Sequence, residues 1–346
     1  MADMTYNRLG NSGLKVSALS FGSWVTFDAQ LDDGLARDCM TAAWEAGVNF
    51  FDCADGYSRG GAERILGRLM AHERDELVVT SKCFVPMGDD INARGANRRH
   101  ILRAVENSLT RLGTDRLDVL FMHRWDTGVP LEETLRALEK LVADGKVLYL
   151  GASNYAAWQI ATGLGISARM GWPRLDVIQP MYSLVKRQVE AEILPLARAE
   201  TLGVITYSPV GGGLLSGKYG TKDRPDAARI LDNPEYAKRY AEPWVYETAE
   251  RFTAFAKGQG VHPVSLAVAW AAANPDVTCP IIGARSLEQL QPSLDSVGID
   301  MPPDLHAEIA ALSRTPPPAT DRLEEQGQEP PRFPSSRSRN MEVRGR

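Results

Sequence analysis

The sequence predicts an α/β protein folded as a closed (β/α)8 TIM barrel, with an N-terminal β-hairpin, a long loop after the seventh barrel strand and an extended C-terminal tail. Three observations carry that expectation. Short apolar runs alternate with amphipathic segments along most of the chain, the order that yields a parallel sheet covered by helices. The runs are apolar at successive positions, as strands buried on both faces must be. Eight such units fit within about 300 residues, the size of a closed barrel. An open doubly wound (Rossmann-type) sheet is the runner-up. It needs G-x-G-x-x-G after its first strand, and Phe21-Gly22-Ser23-Trp24 does not supply it.

Residues 5–18 predict the hairpin, with Gly10-Asn11-Ser12-Gly13 as the turn between Tyr6-Arg8-Leu9 and Leu14-Val16. The barrel strands are expected at Ser17–Phe21, Asn49–Phe51, Leu77–Thr80, Leu117–Met122, Val147–Leu150, Asp176–Ile178, Val204–Thr206 and Thr278–Ile282. Helices are expected at Leu35–Ala46, Arg99–Leu112, Leu131–Val142, Ala191–Ala199, Val245–Ala256, Val264–Ala273 and Leu287–Leu294. Within Arg99–Leu112, the apolar stripe Ile101, Val105, Leu109 and Leu112 has the 3.6-residue period of a helix packed on one face. Gly211–Glu242, rich in glycine and charge, is too long for a plain connection and predicts a lid or binding loop. Residues 314–346 carry Pro316-Pro317-Pro318, Pro330-Pro331 and scattered arginines and offer no apolar face, so the domain division is a barrel over 1–313 and a tail over 314–346.

At 346 residues, with 44% apolar and 24% charged positions, the chain can bury a large core. Its net charge of −5 argues against nucleic acid or an anionic membrane as a partner. No apolar run approaches the roughly 20 residues that span a bilayer, and the first residues lack a signal-peptide pattern. Cys39, Cys53, Cys83 and Cys279 show no C-x-x-C spacing and read as buried thiols of a cytoplasmic protein. No metal site is expected, since no His-x-His or paired-carboxylate grouping sits at a strand end.

In such a barrel the site lies at the C-terminal ends of the strands. Here those ends read Ser23-Trp24, Asp52, Lys82, His123, Ser153-Asn154, Gln179 and Tyr207-Ser208-Pro209, all polar or aromatic and all aimed at one mouth. Asp52 directly follows the apolar run Val48-Asn49-Phe50-Phe51, where an unpaired carboxylate would be costly to bury. Lys82 closes the next strand and is its expected partner, and Tyr57 can fold back over both. An ammonium beside a phenol favours phenolate, so Lys82 is expected to draw the Tyr57 pKa down toward neutrality, as a proton donor working near pH 7 needs. His123, one strand on, would orient an oxygen that gains negative charge. These groups contain no hydride donor, so redox chemistry at this mouth implies a cofactor. Singly, each has a plainer reading: a structural ion pair, a packed tyrosine, a core histidine. Their placement on strands two, three and four together favours a site.

Asp52, Tyr57, Lys82 and His123 resemble the catalytic tetrad of the aldo-keto reductases in order and spacing. Gly151-Ala152-Ser153-Asn154, Gln179-Pro180-Met181-Tyr182-Ser183, Tyr207-Ser208-Pro209, Leu214-Leu215-Ser216-Gly217-Lys218-Tyr219 and Gly283-Ala284-Arg285 are similar to that superfamily's nicotinamide-binding segments. Gly22-Ser23-Trp24-Val25-Thr26-Phe27, with Gln30 after it, resembles the branch containing the potassium-channel β-subunits and their bacterial relatives. The resemblance implies NADPH (NADP+) as cofactor, a small-molecule aldehyde or ketone as substrate and, in that branch, a homo-oligomer. It implies that Ser153, Asn154 and Gln179 hold the carboxamide, that Tyr207 stacks on the nicotinamide ring, and that Ser208, Leu214 and Lys218 follow the pyrophosphate. Arg285 would meet the adenosine 2′-phosphate, Gln289 would lie near the adenosine, and Ser23, Trp24, Gln30, Asp52, Pro209 and Gly283 belong to the same cofactor-side group. Pro292-Ser293 stands where relatives carry Glu-Asn near the adenine, and His123 stands where the channel β-subunits carry asparagine. The expected function is therefore NADPH-dependent carbonyl reduction. Two other readings stand beside it: a cofactor-loaded regulatory subunit with low turnover, and a lyase using Lys82 as a Schiff base.

Overall fold

The computed structural model describes residues 3–26, 33–222, 230 and 233–320. Strands β1 (Tyr6–Arg8) and β2 (Lys15–Ser17) pair antiparallel with Tyr6 opposite Ser17, forming the expected hairpin. The chain then lays down β3 (Ser20–Gly22), β4 (Phe50–Asp52), β5 (Val78–Cys83), β6 (Leu117–Met122), β7 (Val147–Ser153), β8 (Leu175–Gln179), β9 (Gly203–Thr206) and β10 (Cys279–Ile282). Each pairs in parallel with its sequence neighbour, and β10 closes the barrel by pairing with both β9 and β3. The fold is a (β/α)8 barrel.

The pleat divides the core into two layers. Phe50, Val78, Val119, Phe121, Val177, Ile205 and Cys279 fill the barrel interior, while Phe51, Val79, Leu120 and Ile178 face the surrounding helices. Gly151 is required here, because a Cβ on it would lie 2.4 Å from the ring of Phe121. The hairpin closes the end opposite the mouth. Its Leu9 and Val16 are fully buried and join the interior cluster, and Gly10, at φ 58°, packs so tightly on the start of β9 that a Cβ would fall 2.3 Å from Gly203 N.

All seven expected helices form, within a few residues of their expected bounds. Helices at Gly61–Leu69 and Ala157–Met170 form as well, and the sequence reading passed over both. The first opens on Gly60-Gly61, and the second contains Gly163 and Gly165, residues that weaken a helix by up to about 1 kcal/mol each. Packing overrides that cost. The Gly61–Leu69 helix places Glu63 in the core, where it accepts from Ser81 Oγ (2.6 Å) and pairs with Arg111 (2.6 Å). The Ala157–Met170 helix uses Gly163 to lie close on β8, since a Cβ there would sit 3.3 Å from Leu175. In the 211–242 excursion a tight turn over Gly211–Ser216 and a helix over Pro234–Arg239 are described; 223–229 and 231–232 lie outside the described residues. So does 321–346, most of the expected tail. No helix among the described residues is long and apolar enough to cross a membrane.

Candidate active site

The alternation that fills the interior also aims the polar groups. Phe50 points into the barrel, so Asp52 does too; Val78 is followed inward by Thr80 and Lys82, Phe121 by His123, and Val177 by Gln179. At the ends of these four strands the interior stops being apolar packing and becomes a polar cluster.

At its centre Lys82 is 1% exposed and Asp52 3%. The Lys82 ammonium donates to Asp52 Oδ2 (2.6 Å), the Cys53 carbonyl (2.9 Å) and Tyr57 Oη (3.2 Å), which uses all three of its hydrogens. Asp52 Oδ1 accepts from Thr80 Oγ1 (2.9 Å) and Gln179 Nε2 (2.7 Å). Asp52 lies opposite Thr80 in the β4–β5 register, so the long lysine side chain two residues further on reaches back to it. A buried ion pair is tolerable only when its remaining donors and acceptors are satisfied, and here they are.

The expected depression of the Tyr57 pKa is not met. Burial is the largest influence and pushes the phenol up, Lys82 pulls it down, Asp52 pushes it up again, and the net result lies above the usual value. Tyr57 therefore carries its proton at neutral pH. For Lys82, burial alone would favour the neutral amine, but Asp52 and then Tyr57 outweigh it and hold the ammonium charged. His123 is held to about 3 by burial, then by the charges of Lys82 and Arg124, so its imidazole is neutral. Its ring meets that of Tyr57 edge-on with centroids 5.8 Å apart, and the Trp24 ring also packs on Tyr57, with centroids 4.8 Å apart.

These groups open on one cavity of about 1130 Å³. Trp24, Asp52, Tyr57 and His123 line one part of it, with Ser153, Asn154 and Gln179. Tyr207, Ser208 and Pro209 continue the wall, and Lys218, Gly283, Arg285 and Gln289 extend it. Asn154 and Ser208 hold left-handed backbone (φ 59° and 60°), strain of the kind that gathers at working sites. Ser153 Oγ donates to the Gln179 carbonyl (2.9 Å), Asn154 Nδ2 to the His123 carbonyl (3.0 Å), and Tyr207 Oη to Asn154 Oδ1 (2.7 Å). Lys82 sits behind Asp52 and Tyr57 rather than on the wall. Ser23 and Leu214 also stay off it: Ser23 Oγ donates to the Asp52 carbonyl (2.9 Å), and Leu214 is fully buried. Gln30 lies outside the described residues.

Sequence reading missed three parts of this arrangement. Thr80 braces Asp52, and its position two residues before Lys82 on the same face was the available signal. Arg124 and Arg239 also line the cavity; Arg124 is exposed just past β6 and Arg239 half-buried at the end of the Pro234–Arg239 helix, and neither carried a signal of its own. Asp55 is fully buried with neither carboxylate oxygen hydrogen-bonded among the described residues. Burial, then the neighbouring Glu63, raises it to about 7.

Comparison with known proteins agrees with this architecture. The model of the aldo/keto reductase family matches residues 18–314. A probable voltage-gated potassium channel subunit beta of Arabidopsis thaliana is 37% identical over 339 residues, covering 96% of this chain and 99% of the relative. One of Oryza sativa subsp. japonica is 36% identical, covering 92% and 99%. A putative one of Schizosaccharomyces pombe is 33% identical, covering 85% and 88%. A barrel with a lysine–aspartate–tyrosine cluster at its mouth, matched over this length, belongs to the aldo/keto reductase family.

Proposed function

We propose that this protein reduces an aldehyde or ketone to the alcohol with NADPH, with Tyr57 as proton donor. The observation that carries the reading is the single ammonium of Lys82, charged and dry, bonded to both Asp52 and the Tyr57 hydroxyl. The cavity's donor set fits a nicotinamide cofactor. Gln179 has its amide nitrogen committed to Asp52 and no partner for Oε1 among the described residues. The turn over Gly211–Ser216 takes left-handed backbone at Gly211, Gly212 and Gly213, letting the chain run close to a bound phosphate. Lys218 and Arg285 are exposed on the same wall with no carboxylate partner among the described residues. Ser153, Asn154 and Gln179 would hold the carboxamide, Tyr207 the ring, Ser208 and Lys218 the pyrophosphate, and Arg285 the 2′-phosphate, since a guanidinium suits phosphate geometry.

When bound, the cofactor supplies a hydride to the carbonyl carbon. Tyr57 gives its proton to the carbonyl oxygen as the negative charge develops there. The phenolate left behind lies 3.2 Å from the Lys82 ammonium, which stabilises it in a site where water does not screen the attraction. Asp52 keeps Lys82 charged and in place. His123, neutral across the physiological range, offers the oxygen a hydrogen bond without competing for the proton. Oxidation of an alcohol runs the same steps backward. We take the working unit to be residues 1–313, with 314–346 as an appended tail, and propose a cytoplasmic location for the protein.

The names of the relatives favour a second reading, a cofactor-loaded regulatory subunit with low turnover. NADPH oxidation with a simple aldehyde such as 4-nitrobenzaldehyde separates the two. Steady turnover supports the reductase; tight NADPH binding with negligible turnover across a carbonyl panel supports the subunit.

A further inference from the structure

We infer that Arg124 and Arg239 form an anion subsite at the substrate end of the cavity, so that the carbonyl compound taken here carries a carboxylate or phosphate. The inference rests on the reductase reading and adds the substrate class to it. Arg124 follows His123 directly at the end of β6, and Arg239 ends the helix Pro234–Arg239 on the excursion after β9. The two come from different elements and line the same cavity.

Their surroundings place both near the reacting groups. His123, Asn154 and Tyr207 are linked by the Asn154 side chain, which donates to the His123 carbonyl and accepts from Tyr207 Oη. The Arg239 charge and the Arg124 charge both act on the Tyr207 phenol, and the Arg124 charge acts on His123. Arg239 is held by the Tyr236 ring, its guanidinium 4.8 Å from the ring centre. Stacking of that kind fixes the plane; the neighbouring Tyr240 hydroxyl takes one hydrogen bond of the guanidinium, and its five N–H donors leave others for an anion.

Neither arginine has a carboxylate within 4.0 Å among the described residues. Other arginines of the chain do: Arg74 with Asp118, Arg111 with Glu63, Arg187 with Glu190 and Arg198 with Asp276. In a chain of net charge −5, acids are not scarce. Of the acids on the cavity wall, Asp52 is spent on Lys82, Thr80 and Gln179, while Glu235 and Glu288 are exposed. Lys218 and Arg285 would be matched by the phosphates of the cofactor on the proposed reading. Arg124 and Arg239, with Arg59 beyond Tyr57, leave positive charge on the wall for the substrate to neutralise.

The test compares each anionic aldehyde with its neutral counterpart, using NADPH oxidation: 4-carboxybenzaldehyde against its methyl ester, and glyceraldehyde 3-phosphate against glyceraldehyde. Charge-assisted hydrogen bonds of this kind predict a preference of about 10- to 100-fold in kcat/KM for at least one anionic member. The pair showing it identifies the group as carboxylate or phosphate. Arg124→Met and Arg239→Met should each shrink that preference, with the neutral substrate's kcat/KM and the NADPH Kd unchanged, and Arg124→Lys should restore part of it. Equal use of charged and neutral members by the natural protein overturns the inference. A weakened NADPH Kd in Arg239→Met, with the preference intact, assigns that arginine to the cofactor and overturns its part in the subsite. The product alcohols, 4-carboxybenzyl alcohol and its methyl ester, are also titrated into NADP+-loaded protein by tryptophan fluorescence. Charge-selective binding without turnover supports the subsite and contradicts the reductase; turnover without selectivity does the reverse.

Discussion

Lys82 has three ammonium hydrogens and three acceptors around it: the Asp52 carboxylate, the Cys53 carbonyl and the Tyr57 hydroxyl. That saturation fixes the geometry, because any rotation of the lysine leaves a buried donor unmade. Sequence reading found the Asp52–Lys82–Tyr57 relation but had the direction of the tyrosine's pKa wrong. It weighed the neighbouring ammonium and could not weigh the burial, which is a property of the closed barrel rather than of any residue spacing. At the same scale, His123 sits so far below its usual value that it contributes no titration step between pH 5 and 8. Asp55 does titrate there. Its folded value of about 7 lies above the carboxylate's ordinary 3.8, so its contribution to stability is fully present below about pH 4 and is lost as pH rises through 7. Asp55→Asn should therefore gain Tm relative to the natural protein as pH is raised from 4 to 8. Melting curves in which the two proteins keep a constant Tm difference over that range contradict the assignment of a raised Asp55 pKa.

At the scale of elements, the hairpin and the strand ends do complementary work. Leu9 and Val16 fill the floor of the barrel, at the opposite end from the site. Leu9→Ala should cost about 2–5 kcal/mol by removing buried methyl groups from a close-packed interior. Denaturant melts measure the loss, while kcat of the remaining folded protein should stay near the natural value; a loss of activity at full stability would mean that the hairpin communicates with the mouth. The eight strands were legible because each is apolar on both faces, and period-two alternation within them carried Asp52, Lys82, His123 and Gln179 to the interior. The helices at Gly61–Leu69 and Ala157–Met170 were not legible, because Gly60 and Gly163 are there for close packing, a cause that spacing alone does not display. The same limit hid Thr80: its hydrogen bond to Asp52 follows from the β4–β5 register, which exists only once the strands pair.

For the whole molecule, the barrel separates stability from chemistry. Its floor and outer layer are apolar packing; its mouth gathers buried charge, strained backbone at Asn154 and Ser208, and a cavity of about 1130 Å³ lined by both Tyr57 and Arg285. On the proposed reading, that volume takes a dinucleotide whose phosphates would lie toward Lys218 and Arg285. Arg285→Ala should weaken NADPH by roughly 10-fold or more while leaving NADH nearly unchanged, since only the 2′-phosphate is lost as a partner. Cofactor titrations by fluorescence check this, and an equal loss for both cofactors places Arg285 elsewhere. The central claim is that Tyr57 gives the proton, and one comparison tests it most directly: kcat and NADPH Kd for Tyr57→Phe against the natural protein. The phenyl ring keeps the packing against Trp24 and His123 and removes only the hydroxyl. Loss of the proton donor should lower kcat by about 10²- to 10⁴-fold with Kd nearly intact, and a variant that turns over at the natural rate contradicts the proton-donor role.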